Sequence, residues 1–342
     1  MRTPLDADDA RVRLAHGSGG RAMRELIESV FLAGVDDPEA RAMDDGAAIR
    51  CGDRWLVMTT DAHVVAPLFF PGGDIGRLAV CGTVNDLAML GACEPLGLTC
   101  SAVIEEGFPI ESLRRIQASL QVACREAGTR IVAGDTKVMG QGEVDGLVLS
   151  SSGVGFTERV VRDAGLQVGY AIVVTGDIGD HGLAVLSARH ALGLEGDLRS
   201  DVAPLNGLVR AALAAGGPGV HAMKDPTRGG VTSALVEMAE KAGVGIVLDG
   251  SALPLSAPGR AAAELLGIDP LVVANEGKAL LGVHPDVLAP VLGALRAHPL
   301  GARACCIGRV APDAARGTVV LDTGFGTRRL IERDGDPLPR IC

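Results

Sequence analysis

The chain reads as α/β, of the α+β type, folded as two domains and closed by a flexible carboxyl-terminal tail. Three observations predict this. A length of 342 residues, 47% of them apolar, exceeds what one core usually organises and favours two. Short apolar runs of strand length alternate with longer helical patterns in both halves. After Thr323 the patterning fades into charged residues and two prolines separated by one residue, which favours an extended end able to reach away from the domain surface. The expected division is 1–36, a glycine-rich segment with a short helix; 37–155, the first domain; 156–169, a charged boundary segment; 170–322, the second domain; and 323–342, the tail.

Within the first unit, residues 23–32 suggest a short helix with Leu26, Ile27 and Val30 on one face. Residues 55–60 read as a strand that delivers Asp61, and 75–90 as a mostly apolar helix carrying Asn85 and Asp86. Residues 96–104 follow as a strand, and Pro109 opens a helix to about Ala127. The triplet Ile131, Val132, Ala133 predicts a short buried strand ending at Gly134, Asp135, Thr136 and Lys137, with 144–150 as the last strand. In the second unit, 170–175, 246–248, 278–283 and 319–321 are strand candidates, while 181–192, 203–214, 231–242 and 287–297 are helical.

Composition narrows the function. The formal charge is -10, from 42 acidic against 32 basic residues, and the basic residues form no patch, which argues against nucleic acid as a partner. Asp6, Asp8, Asp9 and Arg11 interrupt any leader-like apolar stretch and no later run approaches membrane-spanning length, so a cytoplasmic protein is expected, with no membrane partner. The eight cysteines contain no C-x-x-C pair, and adjacent Cys305 and Cys306 suit neither zinc nor an internal disulfide. Most read as small buried hydrophobes; Cys342 stands apart as the last residue. With 47 glycines against one Trp, one Tyr and six Phe, the core must be built from Val, Leu, Ile and Ala.

Asp45, Asp61, Asp86, Asp135 and Asp225 sit beside Gly, Thr, Asn or Pro rather than in surface charge runs. Singly, each suits a turn or a helix cap; converged, they would hold Mg²⁺ against phosphate oxygens. Gly17, Gly19 and Gly20 could turn backbone amides toward phosphates, although no P-loop lysine accompanies them. In the run 225–230, Asp225, Thr227 and Arg228 precede two glycines and an apolar helix, which reads as a phosphate site or as a helix start capped by Thr227. Lys137 could bind a phosphoryl group and Glu276 accept protons, with structural ion pairing the alternative for both. His63 and His181 are weaker candidates that could serve only to bind backbone. A terminal thiol can be an accidental free cysteine, but the proline-rich approach leaves Cys342 accessible.

The ordered series His16–Gly20, Asp44–Ala47, Thr59–Asp61, His63–Val65, Pro71–Gly76, Gly82–Met89, Gly134–Val138, Asp225–Gly230, Asn275–Gly277 and the ending Pro339–Cys342 resembles the HypE family of hydrogenase maturation proteins. That family lies within a larger one with aminoimidazole ribonucleotide synthetase, selenophosphate synthetase and thiamine monophosphate kinase. The resemblance implies an aminoimidazole ribonucleotide synthetase-like two-domain fold, a homodimer built through the first domain's sheet, and ATP near the domain cleft. It implies Asp45, Asp61, Asp86 and Asp225 as metal and phosphate carboxylates, Asp135 and Thr136 at the nucleotide, and Lys137 and Glu276 around a modified Cys342. Lysine at position 224, where relatives commonly carry arginine, keeps the charge but loses the planar donor fork.

By the same resemblance, a carbamoyltransferase resembling HypF loads Cys342. ATP with Mg²⁺ then drives dehydration of the carbamoyl group to a thiocyanate, and the cyanide passes to iron on a scaffold resembling the HypC-HypD complex for a NiFe hydrogenase. Two other functions compete. Selenophosphate synthesis would want an early catalytic cysteine, yet the first is Cys51; a nucleotide-regulated scaffold would leave Cys342 only to help hold iron.

Overall fold

A 3₁₀ turn at Leu14–Gly17 leads into α1 (Arg21–Leu26), which continues as a π-helical turn to Phe31. The computed structural model describes residues 11–17, 19–192, 197–332 and 341–342. Helix α2 (Pro38–Ala42) starts on Asp37, whose carboxylate accepts from the amides of Glu39 and Ala40. The first sheet is then laid down by β1 (Ala47–Cys51) and β2 (Arg54–His63). A small ribbon of β3 (Phe69–Phe70) and β4 (Gly73–Asp74) precedes α3 (Ile75–Met89), β5 (Pro95–Glu105), α4 (Ile110–Ala127), β6 (Ile131–Met139) and β7 (Leu147–Thr157). Strand order is β1-β2-β7-β5-β6, with only the β5–β6 pair parallel. Helix α3 lies across this sheet and is buried almost all round, so its polar Thr83, Asn85 and Asp86 must find partners inside the protein.

The second unit follows with β8 (Ala171–Val174), α5 (Asp180–Arg189), α6 (Asn206–Gly216), β9 (Val220–Lys224), α7 (Gly230–Ala242) and β10 (Gly245–Asp249). It continues with α8 (Ala257–Leu266), β11 (Leu280–Val283), α9 (Leu288–Ala297), β12 (Cys305–Ala311), β13 (Thr318–Asp322) and β14 (Thr327–Leu330). Its seven-stranded sheet runs β14-β13-β10-β12-β8-β11-β9, with β10 and β13 parallel. One apolar cluster, around Ile172, Leu235 and Ile307, belongs to this unit alone. The other two cross between units: Leu78 and Leu149 share a cluster with Leu183 and Val202, and Leu87 and Val57 share one with Leu208 and Val283. Removing such a side chain, as in Leu78→Ala, costs about 2–5 kcal/mol and would loosen both units together.

Three expectations need correction. Strand β6 is neither short nor buried: nine residues long, it forms the sheet's edge and is exposed from Val132 to Met139, so Asp135 and Lys137 lie within a strand rather than at its end. The region after Thr323 does not lose structure at once, because β14 pairs with β13 through Val319 and Leu330. The chain end does not reach away: Ile341 is 2% exposed inside an apolar cluster and the amide of Val64 donates to the Cys342 carboxyl group at 3.2 Å. The prolines at 337 and 339 that motivated the extended reading lie outside the described residues, as do residues 1–10. Elements α2, β1, β3, β4, β9, β12, β14 and α8 were not expected. Among the described residues no helix is long and apolar enough to cross a membrane.

Candidate active site

A cleft of about 400 Å³ opens between the two units, floored by β2 and α3 on one side and by the segment after β9 on the other. Asp61, near the end of β2, and Asp86, one helical turn beyond Gly82 on α3, both face it. Gly82 sits in a tight spot: a Cβ there would stand 3.0 Å from the His63 ring and 3.1 Å from the Asp61 carboxylate. Thr59 donates its hydroxyl to Asp86 at 2.9 Å, pinning that carboxylate beneath the cleft. From the other unit, Asp225, Thr227 and Arg228 line the wall, and the glycine-rich start folds over it: Gly19 and Gly20 line the cleft, while Arg228 donates to the Gly17 carbonyl at 3.3 Å.

Negative charge dominates this space. Burial pushes Asp86 well above the usual carboxylate range, with Asp225, Asp61 and Asp45 reinforcing the shift. Asp225 is pushed up to about 8 by burial and by the charges of Asp45 and Asp61. Lys224 is the internal counter-charge: its ammonium meets Asp45 at 2.6 Å, Glu237 at 3.3 Å and Asp163 at 3.6 Å. Burial alone would lower its pKa, but these carboxylates outweigh it and hold the lysine charged.

Asp45, Asp61, Asp86 and Asp225 are hard oxygen donors facing one cleft, and their mutual repulsion would be relieved by a divalent cation, so they fit Mg²⁺. No three His, Cys, Asp or Glu side chains among the described residues form a ready-made metal nest. That suits an ion completed by phosphate oxygens, as Mg²⁺ commonly is.

At the inner end sits Glu276, 4% exposed, with Oε1 lacking any hydrogen-bond partner. Its backbone is fixed on both sides: the amide donates to Asp201 Oδ1 at 3.0 Å and the carbonyl accepts from Asn85 Nδ2 at 3.2 Å. Gly277 is glycine because a Cβ would lie 1.8 Å from the Asp201 carbonyl oxygen. Against Glu276 lies the carboxyl-terminal residue, whose thiol stands beside the Glu276 carboxyl group in the same cleft. Burial pushes both groups well up; the charge of Glu276 adds to the shift of Cys342, and the charges of Asp225, Asp61 and Asp201 add to that of Glu276.

The predicted site residues therefore divide. The cleft gathers Gly19, Gly20, Asp45, Asp61 and Asp86 with Asp225, Thr227, Arg228, Glu276 and Cys342. It does not gather Asp135, Thr136 or Lys137 of the same chain, and Gly17 lies outside its lining, joined to it only through Arg228. Asp61 shares a row across the sheet with Ser151, Cys100 and Gly134, so β6 stands three strands away, roughly 14 Å at ordinary strand spacing. Lys137 lies three residues further along and binds Asp135 at 2.9 Å, with both side chains largely in solvent. Sequence reasoning missed Thr59, Asp201 and the structural work of Asn85. Only Asn85 carried a signal, an amide inside an otherwise apolar helix.

Residues 43–157 match the AIR synthase related protein, N-terminal domain family, and residues 167–320 match the corresponding C-terminal domain family. Over 99% of its length the chain is 47% identical to carbamoyl dehydratase HypE of Rhizobium leguminosarum bv. viciae, covering 97% of that protein. It is 42% identical to carbamoyl dehydratase HypE of Escherichia coli strain K12, over 97% of this chain and 99% of that one. Among solved structures it is similar to HypE in complex with ATP, with a TM-score of 0.81 at 39% identity over 97% of this chain and 100% of that one. It is similar also to the crystal structure of a HypE-HypF complex, with a TM-score of 0.84 at 42% identity over 90% and 99%. With both domain families matched in order and relatives of this identity spanning nearly its whole length, the chain belongs to the carbamoyl dehydratase HypE family of AIR synthase related proteins.

Proposed function

We propose that this chain is an ATP-dependent carbamoyl dehydratase whose substrate is an S-carbamoyl group on its own Cys342. Its product is a protein thiocyanate that supplies cyanide to the iron of a NiFe hydrogenase. The observation that carries this is the docking of the last residue in the acid-lined cleft, with its thiol on Glu276.

A carbamoyl oxygen is a poor leaving group. It becomes a good one when it attacks the γ-phosphorus of ATP, ADP departs and one nitrogen proton is lost, leaving an O-phosphorylated thiocarbamimidate. Loss of phosphate with the second nitrogen proton then closes the C≡N bond. Glu276 is the acceptor for these protons: its proton affinity is raised, and Oε1 has no other partner in the site. Gly19, Gly20, Thr227 and Arg228 line the cleft where they would surround the phosphates, and Arg228 would supply fixed positive charge there. Asp45, Asp61, Asp86 and Asp225 would hold Mg²⁺, which supplies neutralisation of phosphoryl charge.

The docked thiol is held protonated by its surroundings and by Glu276, so it is a poor nucleophile in this position. Loading must therefore take place with the tail out of the cleft, at a carbamoyltransferase of the HypF kind, and the product must leave again toward a HypC-HypD-like iron scaffold. A homodimer accounts for β6: an exposed edge strand bearing Val132 and Val138 is a surface that a second copy would cover. Lys137, with Asp135 and Thr136, would then serve the cleft of the neighbouring copy.

Peptide mass spectrometry on carbamoylated protein tests the reading. ATP and Mg²⁺ should remove one water from an adduct on Cys342; an adduct that persists in folded, ATP-binding protein would overturn it.

A further inference from the structure

The tail is held at a second point, where the established chemistry of a transferred group plays no part. His181, at the start of α5, is fully buried with an edge-on contact to Phe70 at 5.5 Å. Its Nε2 lies 2.9 Å from the Ile341 carbonyl oxygen and its Nδ1 2.7 Å from Ser200 Oγ. A carbonyl can only accept, so Nε2 carries the proton and the Ser200 hydroxyl donates to Nδ1. Ser200 Oγ in turn accepts from the Val202 amide at 3.1 Å, which fixes the hydroxyl's direction. Burial holds the imidazole below its usual range and so neutral, the form this pair of bonds needs.

The neighbouring residue holds the other reactant. Asp201 Oδ1 accepts from the Glu276 amide, and its Oδ2 is 3.0 Å from the Lys278 ammonium. Two adjacent residues thus set two positions: Ser200, through His181, sets the tail, and Asp201 sets the proton acceptor. Their separation is fixed by one peptide unit.

We propose that His181 is the positioning residue of the tail: its Nε2–H, oriented by Ser200, holds the Ile341 carbonyl so that the sulfur of Cys342 meets Glu276. This rests on the dehydratase reading for its purpose, but docking can be measured without that reaction. In full-length protein, iodoacetamide alkylation of Cys342, followed by peptide mass spectrometry to separate it from the other cysteines, reports release of the tail. His181→Leu removes the donor and should raise the alkylation rate about 5–10-fold, the loss expected for one hydrogen bond. His181→Gln, whose amide donates from a similar reach, should return it to near the parent rate. With carbamoylated protein, His181→Leu should slow single-turnover dehydration by a similar factor and leave ATP affinity unchanged.

Unchanged alkylation of Cys342 in a folded His181→Leu variant overturns the proposal. Equal acceleration in the Gln and Leu variants also overturns it, since packing alone would then explain the effect. If His181→Leu does not fold, Ser200→Ala, which leaves the tautomer unfixed, should still raise alkylation two- to fivefold, and no change there overturns the proposal. Faster alkylation in His181→Leu, alongside wild-type protein that loads Cys342 but never dehydrates it, would support the latch while sinking the dehydratase reading.

Discussion

The contact between the Cys342 thiol and Glu276 joins residues 66 positions apart only because each is fixed separately, Glu276 by Asp201 and Asn85, and Cys342 by Val64 and, through Ile341, by His181. If Glu276 removes nitrogen protons, Glu276→Gln should slow single-turnover dehydration by about 10²–10⁴ and leave ATP affinity nearly unchanged; titration calorimetry beside rapid-quench turnover checks both. Asp225 gives a pH signature. Its carboxyl is protonated more readily in the fold, up to about 8, than in the unfolded chain near 3.8, so this group's contribution to ligand-free stability should be full at low pH and fall as pH rises through that interval. Denaturant unfolding of Asp225→Asn should show a flatter profile between those values. Such carboxylates were legible as candidates because Asp61, Asp86 and Asp225 stand beside turn-forming or small polar residues rather than among surface charges. Asp201 was not legible, because its role depends on Glu276 and Lys278, more than seventy residues away along the chain.

At the scale of elements, apolar runs announced the interior and misled at its edges. The all-round apolar helix over 75–90 is α3, and the helix opened by Pro109 is α4, since both patterns reflect one enclosing core. The triplet Ile131, Val132, Ala133 looked like a buried strand for the same reason, but periodicity cannot tell a strand covered by its own chain from one left at a sheet edge. Strands β9 and β12 carry His221, Lys224, Gly308 and Arg309, which broke the apolar run that would have marked them. The short loop from Asn275 to Gly277 ties several elements together: Asn275 Oδ1 accepts from Gly179 at 2.7 Å, and its Nδ2 donates to Pro226 at 2.9 Å. Gly277→Ala would drive a methyl into the Asp201 backbone, so it should cost about 1–3 kcal/mol or more and shift Glu276. Thermal unfolding should show a lowered midpoint, with turnover falling further than the folded fraction.

For the molecule as a whole, two apolar clusters that cross between the units set them as one body, and the cleft they form does not include Lys137. Lys137 projects from the far edge of its sheet, bound to Asp135, three strands from Asp61 of its own chain. A lysine side chain spans roughly 6 Å, well short of the roughly 14 Å that the strand spacing alone imposes. If Lys137 stabilises phosphoryl charge, it must do so for a second copy. Mixing two inactive variants separates that arrangement from one within a single chain. Lys137→Ala chains keep Cys342 but lack the lysine; Cys342→Ala chains keep the lysine but carry no substrate thiol. In mixed dimers the first chain can be served by its neighbour, so thiocyanate should appear on Cys342 of the Lys137→Ala chain after subunit exchange and carbamoylation, with ATP and Mg²⁺. Peptide mass spectrometry locates the product, and light scattering with differently tagged chains verifies that mixed dimers formed. Mixed dimers that yield no product would mean that the lysine must come from the same chain, and turnover by the Lys137→Ala homodimer at the parent rate would remove Lys137 from the chemistry.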